Sequence, residues 1–250
     1  MQRTTIEWCR DPDGKAGRTW NPATGCLRGC RAPGAKKSYC YARRIAKRFG
    51  KTEAEQRFEP VFHQERLLAP YDVKKPSTIL VGSMTDMLGN WGWKNSEREL
   101  PSSIVVRLVQ ITITSNPQHT FLLLTKYPER YQQFNPWPTN CWLGASPTNG
   151  TTWWANQWHL SKAEWDDGKR RSYISLEPLL GPVIKMVLCP APPPQWLIIG
   201  AQTGSGAKPP EKSWLAGASA YAKSRNIPIF FKDSVYRAGD KRELPYLEKA

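Results

Sequence analysis

Thr120-Phe-Leu-Leu-Leu-Thr125 is apolar on successive positions rather than on alternate ones. A strand with one wet face alternates, whereas an unbroken apolar run suits a strand buried on both faces, as in a parallel sheet covered by helices. Thr78-Ile-Leu-Val-Gly82 and Trp196-Leu-Ile-Ile-Gly200 read the same way. Working outward from these, short apolar runs bounded by turn residues fall at 58–63, 77–83, 120–125, 141–145, 172–176, 196–200 and 227–231, with a first strand expected near 20–25. Segments 97–113 and 213–225 read as helices between runs, the second opening on Ser213 as a capping residue. Repeated strand–helix alternation predicts an α/β fold made of βαβ units. About eight strands predict a (β/α) barrel, complete with eight strands or partial with six and an open side, forming one domain over residues 1–250.

The composition narrows the class. A chain of 250 residues buries a substantial core without disulfides, and its six cysteines are sparse for a disulfide framework. No apolar run is long enough to span a bilayer, and the opening MQRTTIEWCR holds no apolar signal segment. These features predict a soluble, cytoplasmic protein with no membrane partner. The formal charge of +15, from 36 Lys and Arg against 21 Asp and Glu, favours anionic partners, nucleic acid first among them. A plain solubility surplus is the alternative.

In a barrel, the polar residues just past each apolar run collect at the rim where the strands end, which is where such folds place chemistry. They are Ser83, Thr85 and Asp86, then Thr125 and Lys126, Ser146, Glu177, Gln202 with Thr203, and Lys232 with Asp233.

Three of the six cysteines fall within fifteen positions, in TGCLRGCRAPGAKKSYCYARR. Cys26 and Cys30 form C-x3-C, and nine residues separate Cys30 from Cys40. Three thiolates can hold three irons of a cubane and leave the fourth open, by the same logic that keeps one position open in catalytic zinc sites. A zinc site completed by Cys9 or His63 is the competing reading, and spacing alone leaves both open. Cys141 and Cys189, in or near apolar runs, read as core residues.

The stretches IEW at Ile6, TWNPATGC ending at Cys26, CYARR from Cys40, VGSMTDML from Val81, QHTFLLLTKYPER from Gln118, WLGASP from Trp142, SLEPLLGPV from Ser175, WLIIGAQTGSGAKP from Trp196 and IPIFFKDS from Ile227 resemble a family of phage and prophage three-cysteine proteins known as a domain of unknown function. That family looks like a branch of the radical S-adenosylmethionine barrels. The resemblance implies a 4Fe–4S cluster on Cys26, Cys30 and Cys40, S-adenosyl-L-methionine as cofactor, and an electron donor as partner. It implies that Ser83, Thr85, Asp86, Lys126, Ser146 and Glu177 line the cofactor or substrate cavity. Glu177 and Asp86 would meet the cofactor's amino or ribose groups, and Lys126 its carboxylate. Two features depart from the family pattern. RAPGAKKSY separates the second and third cysteines, which stand close together in relatives, and Gln202 occupies a place that is often acidic.

Other features bear on a nucleic-acid partner. Trp154, Trp158 and Trp165 recur at helical spacing and read as one core-facing stripe, with a base-stacking platform as the alternative. Trp91 and Trp93, in GNWGWKN, read as more exposed and better placed to stack on a base. After Cys40, the spacing puts Tyr41, Ile45 and Phe49 on one helix face and Arg43, Arg44, Lys47 and Arg48 on the rest. With Lys36 and Lys37 they make a basic rim beside the cysteines. A solvated outer face is the plainer reading.

The expected function is therefore a radical S-adenosylmethionine enzyme modifying a base in phage DNA, in the host cell cytoplasm. The resemblance points to isomerisation of an amino-acid-substituted, glycinyl thymidine, begun by a deoxyadenosyl radical. A base inside a duplex must be extruded or met unpaired. The alternatives are a zinc-stabilised nucleic-acid-binding protein without catalysis, and a DNA-repair radical lyase.

Overall fold

The computed structural model describes residues 1–32, 34, 36, 38–95, 98–183, 189–204, 206–237 and 239–247. The chain divides into two compact units: residues 1–5, 9–125 and 137–141 in the first, and 6–8, 126–136 and 142–250 in the second.

The first unit contains β1 (Gln2–Arg3), β2 (Arg18–Trp20), β3 (Ala23–Thr24), α1 (Tyr41–Phe49), α2 (Glu53–Arg57), β4 (Val61–Phe62), β5 (Thr78–Val81), β6 (Trp93–Lys94), β7 (Glu99–Leu100), α3 (Ser102–Thr114) and β8 (Thr120–Thr125). Strands β2, β5 and β8 are parallel, in register Thr19↔Leu80 and Val81↔Leu123, with β1 antiparallel to β2 at the edge. Phe121, Leu122 and Leu123 on β8, and Ile79, Leu80 and Val81 on β5, are all buried, as unalternating runs require. Each such side chain contributes about 1.5–3 kcal/mol by leaving water. Helix α3, the crossover between β5 and β8, packs Val105, Val106, Val109 and Ile113 inward and starts at Ser102.

A second small sheet, in the order β3-β4-β6-β7, also belongs to this unit. It corrects two expectations. The first strand does not run through 20–25: Pro22, with no N–H to donate, separates β2 in the parallel sheet from β3 in the small one. The run at 58–63 is not a barrel strand either. Phe58 is the left-handed cap of α2 (φ 63), and only Val61–Phe62 pairs, antiparallel to β3 and parallel to β6.

The second unit contains β9 (Cys141–Ala145), α4 (Gly150–Leu160), β10 (Ser172–Leu176), β11 (Trp196–Ile199), α5 (Lys212–Ser224) and β12 (Ile229–Phe231). The four strands are all parallel and adjacent in chain order, with Ile174↔Leu197 and Ile198↔Phe230 as central pairs. Asn149 caps α4 with a reciprocal box: its Oδ1 accepts from Thr151 and Thr152 N–H at 3.1 and 3.0 Å, while Thr152 Oγ1 accepts from Asn149 N–H at 3.3 Å. Helix α5 starts one residue before Ser213; Glu211 is its N-cap position and makes no side-chain cap, and the Ser213 hydroxyl donates to the Glu211 carboxylate at 3.2 Å.

Both units are thus α/β around parallel strands, and no ladder among the described residues closes a barrel. No described helix is long and apolar enough to cross a membrane.

Candidate functional site

Cys26 sits where the first unit's loops are laced to the end of β5. Gly25 N–H donates to Met84 O at 3.0 Å, and Thr85 Oγ1 donates to Gly25 O at 2.5 Å. Cys26 N–H donates to Phe58 O at 3.0 Å, and Arg43 Nη2 donates to Cys26 O at 2.8 Å. Gly25 has φ +86°, and a Cβ there would lie 1.8 Å from Glu59 O, so only glycine fits between the two chain crossings. The Cys26 side chain packs with Ala42, Ala46 and Phe58, with Cys40, Met84 and Trp91 against the same cluster. Burial, before any charge, pushes the Cys26 thiol up to about 12; Asp86, Cys30 and Cys40 add to the rise, while the Arg28 N–H, donating to Sγ at 3.3 Å, opposes it. The three cysteines therefore lie within electrostatic reach of one another. The Cys30–Cys40 segment is held by Tyr39 N–H donating to Cys30 O at 3.1 Å and by Ser38, whose hydroxyl donates to Cys30 O at 2.8 Å and accepts from Cys40 N–H at 3.1 Å. Cys40 is the N-cap position of α1 and makes no side-chain cap.

Among the described residues, no three His, Cys, Asp or Glu side chains are gathered so as to hold a metal ion. The two fourth-ligand candidates for zinc are occupied elsewhere. Cys9 is buried, with its thiol donating to Arg18 O and Thr78 O at 3.7 and 3.6 Å, and burial raises it to about 12. His63 Nε2 bonds the Thr24 hydroxyl at 2.8 Å, and burial together with Arg66 holds its imidazole below the usual range.

The polar residues after β5 hold this loop and the strand ends together. Ser83 Oγ exchanges hydrogen bonds with the Asn21 amide at 3.1 and 3.2 Å, and Ser83 O accepts from the Tyr41 hydroxyl. Asp86 is buried, its Oδ1 accepting from Thr125 Oγ1 at 2.5 Å and from Leu88 N–H at 3.2 Å. Thr85 is the residue that fastens Gly25.

In the second unit the centre is Glu177. Its Oε2 accepts from Trp8 Nε1 at 2.9 Å and from the fully buried Ser175 hydroxyl at 2.8 Å, and its Oε1 pairs with Lys232 Nζ at 2.5 Å. Burial works against the Lys232 charge, yet Glu177, then Glu7 and Asp233, outweigh it and raise the ammonium above the ordinary lysine value. Lys126 Nζ donates to the Ser146 carbonyl at 3.0 Å and to its hydroxyl at 2.7 Å, and that hydroxyl is 3.4 Å from Glu177 O. Gln202 is half-buried beyond β11.

The profile of a family described as "Protein of unknown function (DUF5131)" matches residues 3–242. The chain belongs to that family. No curated protein and no solved structure matches it.

In this DUF5131 chain the basic and aromatic candidates divide. Lys36, Arg44 and Lys47 are exposed, and Lys37 lies outside the described residues. Arg43 is not an outward cation: besides Cys26 O it reaches Arg57 O at 3.4 Å and lies 5.2 Å from the Phe58 ring centroid. Trp93 is fully buried, with no hydrogen-bond partner for its Nε1 among the described residues, so it offers no face to a base. Trp91 is half-buried, 5.9 Å from Trp93 and folded over Gly89. The expected core stripe on α4 is also overturned. Trp154 and Trp158 are 42% and 39% exposed, Trp165 is buried as expected but lies beyond the helix, and the inward face is Gly150, Trp153, Gln157 and Leu160. Cys141 is buried as expected, whereas Cys189 is only half-buried.

Sequence reasoning missed Trp8, Ser175 and Asn21. Trp8 Nε1 is bonded across 169 positions, a pairing that no local spacing announces.

Proposed function

We propose that this protein is a radical S-adenosylmethionine enzyme that modifies a base in DNA, with Cys26, Cys30 and Cys40 as the cluster ligands. The observation that carries the reading is the lacing of Cys26 to the C-terminal end of a parallel strand, with two more thiols within its electrostatic reach. Strand C-terminal ends are where parallel α/β folds bind ligands. The donor set fits the cluster better than closed zinc. Three thiols are at hand, and Cys9 and His63 are committed to other partners. Among the described residues the thiols are not gathered as they stand, so loading requires Cys30 and Cys40 to come closer to Cys26. When bound, a 4Fe–4S cluster with one open iron supplies the electron that cleaves the sulfonium of S-adenosylmethionine.

The chain's own groups then divide the remaining work. Thr85, Asn21 and Ser83 hold the cysteine loop in place, and Asp86, through Thr125, ties β8 to the same strand end. In the second unit, Glu177 and Lys126 are charged groups able to meet amino and carboxylate groups of a ligand, and Gln202 is a neutral third. For that, Glu177 must exchange Lys232 or Trp8 for the ligand. The closest reaction class is isomerisation of a glycinyl-substituted thymidine, the assignment that the phage-family likeness favours. An external electron donor is required.

Anaerobic reconstitution with iron and sulfide tests this. The expected product is a brown protein that releases 5'-deoxyadenosine from S-adenosylmethionine under reduction, more so with thymidine-hypermodified DNA. A colourless, zinc-containing protein, or unchanged iron content and deoxyadenosine release in Cys30→Ala, refutes it. Deoxyadenosine release coupled to repair of a photoproduct rather than to isomerisation moves the reaction to the lyase class.

A further inference from the structure

Helix α4 presents two large aromatic rings to solvent on the same face. Trp154 and Trp158 are one i,i+4 step apart, which on an α-helix is a rise of about 6 Å. Their ring centroids are 6.4 Å apart and their planes only 9° from parallel. Stacked bases repeat at about 3.4 Å, so these rings are too far apart for full face-to-face overlap, and each remains partly exposed to solvent. Lys162 Nζ lies over the Trp158 ring, 4.4 Å from its centroid, so one face of that indole already carries a cation. The helix sequence GTTWWANQWHL carries no carboxylate, and the whole chain is +15. The core has no need of these two indoles. Trp153 already fills it, fully buried with its Nε1 donating to Gln157 Oε1 at 2.6 Å.

The geometry points to a stacking site for an unpaired nucleobase of single-stranded nucleic acid, formed by Trp154 and Trp158, with Lys162 beside it for the adjoining phosphate. The exposed parts of these parallel indoles match any base, because every base has a π face, so the site selects for unpaired strand rather than for sequence. Lysine adds the salt-sensitive part of the binding. A duplex keeps its bases stacked on one another and offers no such ring. The inference concerns binding alone and does not depend on the cysteines holding a cluster, so it can fail or stand independently of the enzymatic assignment.

The test is fluorescence anisotropy of the full chain with labelled oligothymidylate, the same strand annealed to oligodeoxyadenylate, and oligouridylate, at low salt. The single strands are expected to bind more tightly than the duplex and to quench indole fluorescence; the uridylate arm shows whether the 2'-hydroxyl matters. W154A/W158A should weaken single-strand binding about tenfold or more, and Lys162→Met should weaken it about threefold and lower the salt slope by about one. If the double alanine variant does not fold by circular dichroism, W154F/W158F, which keeps smaller rings, should show a loss of about threefold. Binding within twofold of wild type in a folded double variant overturns the inference. So does equal affinity for the duplex, or a change of oligomeric state in the double variant with strand binding intact, which would make the patch a contact between copies.

Discussion

The cysteine loop and the Glu177 network hold charged or ionisable groups in opposite ways. Around Glu177 every carboxylate oxygen already has a partner: Trp8 and Ser175 on one, Lys232 on the other. Around Cys26 the backbone is fastened on both sides while the sulfur, among the described residues, accepts a single N–H, from Arg28 at 3.3 Å. One region is satisfied as folded, and a ligand can enter it only by displacing a partner. The other spends its hydrogen bonds on placing a main chain and leaves the thiol to be used. A satisfied buried ion network resists change, because removing one member strands the others.

That contrast can be broken by substitution. The largest effect is expected from Glu177→Leu, which leaves Lys232 charged without its partner and two donors unpaired; urea unfolding should show a loss of about 3–5 kcal/mol. Thr125→Val removes the hydroxyl donated to buried Asp86 and should lose about 1.5–3 kcal/mol in the same assay. Cys26→Ser, which puts a hydroxyl among Ala42, Ala46 and Phe58, should lose about 1–2 kcal/mol. Cys30→Ser should change the stability of the metal-free protein by no more than about 0.5 kcal/mol, while abolishing iron incorporation if the proposed ligation holds. A stability loss at Cys30 as large as that at Glu177 would erase the distinction.

The Lys232 ammonium sharpens the same point through pH. Its folded pKa is raised above the unfolded value, so its contribution is fully present below about 10.5 and is lost as pH rises through the folded value. The stability gap between wild type and Lys232→Met should therefore stay constant through neutral pH and narrow only in the alkaline range. A gap that already narrows around neutral pH would overturn that assignment.

How much of this could be read in the residues differs between strands and faces. The runs at 120–125, 141–145 and 172–176 coincide with β8, β9 and β10 because unalternating apolar residues between turns have few other places to go. The reading failed at 20–25 and 58–63, where Pro22 and a left-handed Phe58 redirect the chain into a second sheet. On α4 the period was right and the phase wrong, since Trp153 goes inward where Trp154 and Trp158 were expected. On α1 the face shared by Tyr41, Ile45 and Phe49 is exposed, while Ala42 and Ala46 are buried. Spacing identifies a stripe, but which stripe packs depends on the room beneath it, and a close neighbour can prefer alanine to tryptophan. At the site, the cysteines and Glu177 were conspicuous as residue types. The partners were not: Asn21 and Trp8 act through long-range contact, and Ser175, two residues before Glu177, sits inside a buried strand where nothing marks it.

Gly25 carries one more consequence. Because a carbonyl occupies the space where its side chain would begin, the peptide leading into Cys26 has almost no freedom to slide or turn. Whatever assembles on this loop must therefore be delivered to a stationary sulfur. Alanine at position 25 would displace that fixed point, so its damage should appear first as misplaced chemistry at Cys26 and only second as lost thermal stability.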